Sequence, residues 1–286
     1  MILEPFIEYA FMRRALVSVV VLAISAAPIG CYLMLRRMSL VGDAMSHAML
    51  PGAAIGFIIA GLSLPMMSLG GFIAAMVVAL GAGYITRETR QREDSSFAAL
   101  YLIALALGVL IVSSSANQID LMHLLFGSVL AVDDMALYQI AIVSSTTCLL
   151  LALFHRALMM DSLDPQFAKS MGRTGAWAHT LLIVLMVANL VSAFQALGTL
   201  MAVGLMMLPA AAARFWCRTF PAMLLLSVIF ATASATAGLL ISYHVELPSG
   251  PSIVLLAGAV YLCSMLLGRH GSVRENHLKP KLHTLT

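Results

Sequence analysis

Apolar residues in this chain run in blocks of about 20, separated by short polar breaks, instead of recurring as the one-sided stripe of a soluble helix. Coiled as a helix, a block of that length covers the roughly 30 Å hydrocarbon core of a bilayer. Nine blocks are found, at residues 15–35, 42–61, 64–86, 96–114, 135–155, 175–194, 197–213, 220–242 and 251–268. The expected fold is therefore all-α, a polytopic transmembrane helical bundle of eight or nine spans over residues 1–268, followed by a cytoplasmic basic tail at 269–286. The second block is the least apolar and the seventh is short, which suits helices covered by neighbours more than by lipid. A further stretch, 119–130, is too short to span and reads as an interfacial or re-entrant helix.

Composition removes the water-soluble classes. Charged residues make up 10% and hydrophobic ones 61% of 286 residues, whereas a soluble domain carries about 25% charge. The net charge of +3 matters less than its placement. Threading the blocks puts Arg36, Arg37, Arg87, Arg90, Arg92, Arg156, Lys169, Arg173, Arg214, Arg218, Arg269, Arg274, Lys279 and Lys281 on one side. By the positive-inside rule that side is the cytoplasm. The opposite connections hold Asp120, Asp133, Asp134 and Glu246, without Lys or Arg. Trp177 and Trp216 fall at the cytoplasmic interface, where indoles are favoured. Arg13 and Arg14 break the pattern, because nine spans with a cytoplasmic C-terminus leave them outside. Either they reach the interface from an external segment or one block does not cross. Residues 10–30 also have the look of a cleavable leader, but the apolar run continues to Arg36 and is kept as the first span.

The candidate chemistry is sparse. Asp43 is the acidic residue that falls clearly inside a block, where an ionised carboxylate costs at least about 3 kcal/mol without a partner or an aqueous path. His47 follows one helical turn later, so both side chains share a face. A carboxylate and an imidazole at that spacing suit a divalent ion such as zinc or manganese. The alternative is that Asp43 caps its helix and His47 bonds a neighbouring carbonyl. Two donors are too few for tight binding, which suits an ion that must leave again. In the longest connection on the basic side, Asp164-Pro165 reads as an N-cap and first helical residue and Gly172 as a C-cap. This predicts a helix of about two turns, with Phe167 and Ala168 as its apolar contacts, too short to stand without docking on something. A solvated loop is the other reading.

Several features carry less. His123, His244 and Glu246 on the external side are either a docking face, a cation funnel or plain solvated loop. His270, His277 and His283 sit in the tail. Cys31, Cys148, Cys217 and Cys263 lack metal or redox spacing and read as packing residues. The 20 methionines are scattered, which argues against a copper path. Met-Leu-Pro-Gly-Ala-Ala from Met49 and Met-Leu-Pro-Ala-Ala-Ala from Met207 resemble an inverted repeat, although this composition produces such matches by chance. No G-x-x-x-x-G-K-[ST] loop is present, so any ATP must be hydrolysed by another chain. Nothing points to nucleic acid.

From Arg36 through Ser39, Gly42, Asp43 and His47 to Ala48, the sequence resembles the permeases of metal-type (zinc, manganese, iron) ABC importers. The likeness continues through Asp120-Leu-Met-His-Leu-Leu-Phe-Gly127, Asp164-Pro-Gln-Phe-Ala168 to Gly172, Leu208-Pro-Ala-Ala-Ala-Ala213 and Pro248-Ser-Gly-Pro251. The resemblance implies a type II ABC importer-like permease in the bacterial inner membrane, working as a homodimer. Its partners would be two cytoplasmic ABC ATPase subunits carrying the ATP and a periplasmic or surface metal-binding protein. It also implies that Asp43 and His47 line the translocation path and that Asp164, Phe167, Ala168 and Gly172 belong to the segment that docks on the ATPase. No resident cofactor is expected, only transported divalent metal, with zinc favoured. The rivals are a proton-coupled secondary metal transporter, for which the chain offers few intramembrane titratable groups, and a vitamin or siderophore ABC permease, which would want a path without charged ligands.

Overall fold

The computed structural model describes residues 4–114, apart from Leu62, Arg90 and Arg92, together with 132–164 and 174–278. Among them the helices are α1 (Glu4–Glu8), α2 (Ala10–Leu35), α3 (Val41–Ala48), α4 (Leu50–Ala60), α5 (Leu64–Glu88), α6 (Glu93–Ser114), α7 (Asp134–Leu153), α8 (His155–Leu163), α9 (Thr174–Leu197), α10 (Thr199–Arg214), α11 (Phe220–Val245), α12 (Ser249–Leu267) and α13 (Val273–Leu278). Eight helical stretches, counting α3 and α4 together, are long and apolar enough to cross a membrane, and α10 is shorter. The second apolar block is divided where Met49 joins the two pieces and Pro51 occupies the first turn of α4, a position that tolerates its missing N–H. The short stretch at 119–130 lies outside the described residues.

Local chemistry sets the helix ends. Asp133 caps α7 by accepting from the Ala136 N–H at 2.9 Å, satisfying one of the orphan donors of the first turn. At the end of α2 the Arg37 N–H donates to Met34 O at 3.1 Å and the Met38 N–H to Leu33 O at 2.9 Å. Arg37 itself is left-handed, at φ 60. This is a Schellman closure with arginine where glycine is usual, and buried Met38 supplies its hydrophobic contact. The turn from Arg36 to Val41 is therefore held by hydrogen bonds.

Contacts at the helix ends fix the relative directions. Arg14 Nε lies 3.0 Å from Asp134 Oδ1, joining the start of α2 to the start of α7. The rings of Tyr9 and Tyr243, 5.9 Å apart, bring the end of α11 to the same side. At the opposite end Arg36 pairs with Asp161, and the His270 N–H donates to Phe215 O at 2.9 Å. Arg14 thus sits opposite the arginine-bearing end, partnered by a carboxylate.

The bundle is built around α2, α9 and α10, which pack on one another, while α11 and α12 close one flank and α3 to α6 the other. Backbones approach closely where side chains are smallest. A Cβ on Gly52 would overlap the Gly70 carbonyl, and one on Gly70 the Gly52 carbonyl, so α4 and α5 cross nearly backbone to backbone. Dispersion and lipid release drive such crossings in a membrane, where the hydrophobic effect is absent between helices. Polar side chains join α2, α7 and α9. Ser25 donates to Asn189 Oδ1 at 2.6 Å and lies 3.0 Å from Ser144 Oγ. Asn189 Nδ2 donates to Thr147 Oγ1 at 2.7 Å and Leu185 O at 2.9 Å. All four side chains are buried, and the amide of Asn189 uses its acceptor and both donors.

Asn189→Leu should lower stability in detergent by about 1–2 kcal/mol, because it strands Ser25 and Thr147. A variant that unfolds at or above the parental temperature would contradict this role. Gly52→Leu should prevent recovery of folded protein. Gly83→Ala should be tolerated, since an added Cβ there meets nothing within 4 Å. Equal yields of the two variants would refute the close crossing.

Candidate functional site

Most of α3 is buried. Val41, Gly42, Ala44, Met45, Ser46 and Ala48 face the bundle, and Gly42 meets the Met206 methyl of α10. The face left over carries Leu40, Asp43 and His47, at the i, i+3 and i+7 positions of one helical side. The Asp43 side chain is 62% exposed on the surface of the single chain and that of His47 28%, with Asp43 Oδ1 3.8 Å from His47 Nε2. Asp43 does not cap the helix. Leu40 occupies that position, and no side chain caps the N–H groups of the first turn. The carboxylate instead stands in the first turn, where the helix dipole favours an anion.

The imidazole is held by packing, not by hydrogen bonds. Its ring stacks on Tyr101 of α6, with centroids 6.4 Å apart, and Nδ1 is buried with no hydrogen-bond partner. The geometry leaves Nε2 as the working nitrogen, on the side of Asp43. One ion about 2.1 Å from each atom could bridge Oδ1 and Nε2 at their observed separation. High-affinity metal sites orient a ligating histidine through its second nitrogen, and this histidine lacks that support. No group of three or more His, Cys, Asp or Glu capable of holding a metal exists among the described residues. The pair therefore suits a passing divalent ion, not a resident one.

Beyond His47 the same helical side continues at steps of four through Pro51, Ile55 and Ile59, which help line an apolar groove of about 770 Å³ between α4, α5 and α6. The carboxylate–imidazole pair and the groove thus share one face of the chain.

Asp164 follows the last residue of α8, its N–H donating to Met160 O at 3.0 Å. Phe167, Ala168 and Gly172 lie outside the described residues, as does His123. His244 is in the last turn of α11, its Nδ1 2.8 Å from Leu240 O, and Glu246 closes that helix in the left-handed region at φ 56. Neither approaches Asp43, which lies near the opposite end of its span. Contacts that sequence spacing does not reveal surround α8. Arg36 Nη1 donates to Asp161 Oδ2 at 2.6 Å, the side chains only 9% and 6% exposed. Tyr32 Oη lies 2.6 Å from His155 Nδ1. Partners more than 120 residues apart leave no periodic signal, and the basic residue at 36 reads from sequence only as a topology marker.

Comparison with known proteins places this geometry in a family. Residues 8–268 match the ABC 3 transport family. The chain is 34% identical over 268 residues to the manganese transport system membrane protein MntC of Listeria monocytogenes, covering 92% of this chain and 93% of that protein. It is 32% identical to the manganese import system permease protein ScaB of Streptococcus gordonii, over 96% of both. It is 30% identical to the chelated iron transport system membrane protein YfeD of Yersinia pestis, over 98% of this chain and 90% of that one. The solved structure of PsaBC from Streptococcus pneumoniae in complex with Fab superposes with a TM-score of 0.83 at 31% identity, over 96% of this chain and 98% of that one. The chain belongs to the ABC 3 transport family and is a multi-pass protein of the bacterial plasma membrane.

Proposed function

We propose that this chain is the membrane-spanning permease of an ATP-driven importer of divalent transition metal, with Asp43 and His47 touching the ion as it passes. The observation that carries the reading is the exposed carboxylate and imidazole on α3, on an otherwise apolar span. An ionised group facing lipid is expensive, so that face belongs against water or another protein. A second copy of the permease, laid on the face shared by the pair and the apolar groove, would cover the groove and double the donors around a central path. ATP would be bound and hydrolysed by a separate cytoplasmic subunit docked on the segment from Asp164 to Gly172, and a metal-binding protein would deliver the ion outside.

The relatives named above are manganese and iron systems, whereas the expectation from sequence favoured zinc, with manganese or iron as alternatives. One carboxylate with one imidazole and no thiolate is compatible with manganese and ferrous ions, and manganese is the substrate proposed here. Transport powered by protons is disfavoured by the scarcity of titratable groups within the spans.

In proteoliposomes holding the permease with its ATPase and delivery protein, Asp43→Ala and His47→Ala should each cut manganese uptake at least about tenfold, since each removes one of two donors per chain. The assembled complex should elute unchanged. Full uptake by the double variant would end the assignment, and transport of zinc with exclusion of manganese would overturn the choice of ion. Phe167→Asp should strip the ATPase from the purified complex, and undiminished co-purification would refute docking there.

A further inference from the structure

We propose that the buried Arg36–Asp161 ion pair, reinforced by Tyr32–His155, is the mechanical link that carries motion of the ATPase-docking segment to the helix bearing Asp43 and His47. The inference rests on the functional reading above and adds a part to it.

Two polar contacts pin α8 to the last turn of α2. Arg36 and Asp161 meet at 2.6 Å with both side chains nearly shielded from solvent, and Tyr32 meets His155 at 2.6 Å. Phe220 of α11 packs against both the Tyr32 and His155 rings, with centroids 4.9 and 6.0 Å away. A shielded ion pair is held far more tightly than a surface one, because water neither screens nor replaces it. Separating Arg36 from Asp161 would leave two shielded charges uncompensated, which favours the two elements moving together.

Each end of this joint leads directly to a working element. Asp161 precedes Asp164, the start of the proposed docking segment, by less than a helical turn, with α8 helical up to Leu163. Arg36 precedes Asp43 by two helical turns of sequence, and the chain between them is the hydrogen-bonded Schellman turn closed by left-handed Arg37 and buried Met38. Val41 N–H donates to Met38 O at 3.3 Å, so α3 starts directly from that turn. Displacement of α8 is thus passed through the ion pair to a stiff turn, then to the first turn of α3. A flexible linker at either point would absorb it. The direct contacts of α8 are with α2, α7 and α9, and α9 also packs on α3. The route through Arg36 is the one that carries the shielded ion pair and the tyrosine–histidine contact. Arg36 and Asp161 are positioning residues, since neither touches the ion.

The test uses the complete transporter in proteoliposomes and reads manganese ions moved per ATP hydrolysed, with hydrolysis stimulated by the delivery protein. Arg36→Gln and Asp161→Asn should each lower that ratio by about tenfold, within the 5–150-fold range usual for coupling between sites, while stimulated hydrolysis continues. The exchanged pair, Arg36→Asp with Asp161→Arg, should recover at least half of the ratio. Tyr32→Phe leaves no charge unpaired and should fold in any case, so it keeps the test decisive if a single-charge variant fails to assemble. It should lower the ratio by a smaller factor. An unchanged ratio in Tyr32→Phe, alone or alongside a charge variant, or uptake and hydrolysis falling in proportion, overturns the link. Asp43→Ala run alongside separates the two readings: if it abolishes uptake while the Arg36 and Asp161 variants couple normally, only the link is wrong, and if it transports normally, the path assignment is wrong.

Discussion

Hydrocarbon offers no hydrogen bonds, and every other feature of this chain follows from that. Backbone groups in the bilayer must be paired within the chain, which leaves helices as the spanning element. Apolar side chains gain nothing by leaving lipid for protein, so the bundle is held by tight contact and by satisfied polar groups. Both devices are present. Gly52 and Gly70 bring two helices together at their backbones, and Asn189 uses its whole amide to join α2, α7 and α9.

Against that background the polar residues divide into two kinds. Ser25, Ser144, Thr147 and Asn189 are buried and mutually satisfied, so they are complete within one chain. Asp43 and His47 are not. The carboxylate is exposed, and the imidazole keeps one nitrogen buried without a partner. An ionised carboxylate facing lipid would be costly in that state. That incompleteness is what supports the proposal that the pair lines an ion path.

At the arginine-bearing end a thin set of contacts underlies the proposed coupling. Packed cores resist continuous deformation and shift between discrete arrangements. The short helix α8 is pinned to α2 by a shielded ion pair and a tyrosine–histidine contact, the arrangement on which the proposed coupling rests. The left-handed arginine at position 37 fits the same picture, because a turn that costs energy to form is retained only where its geometry matters.

What the sequence determined by itself is the class and the directions. Runs of apolar residues decide that the chain spans a membrane, and the alternation of arginine-bearing connections decides which ends lie together, since both are summed over many residues and need no partner. The Asp43–His47 pair was also legible, because i and i+4 share a side of any helix. Only the tertiary structure decided that this side faces out of the bundle, that Asp43 is not a cap, that the second span is two helices and that Arg14 is matched by Asp134. It alone joined Arg36 to Asp161 and Ser25 to Asn189. Those contacts link residues more than 100 positions apart, and which distant polar groups meet is set by how helices cross, a property of the packed bundle that no local stretch of sequence contains.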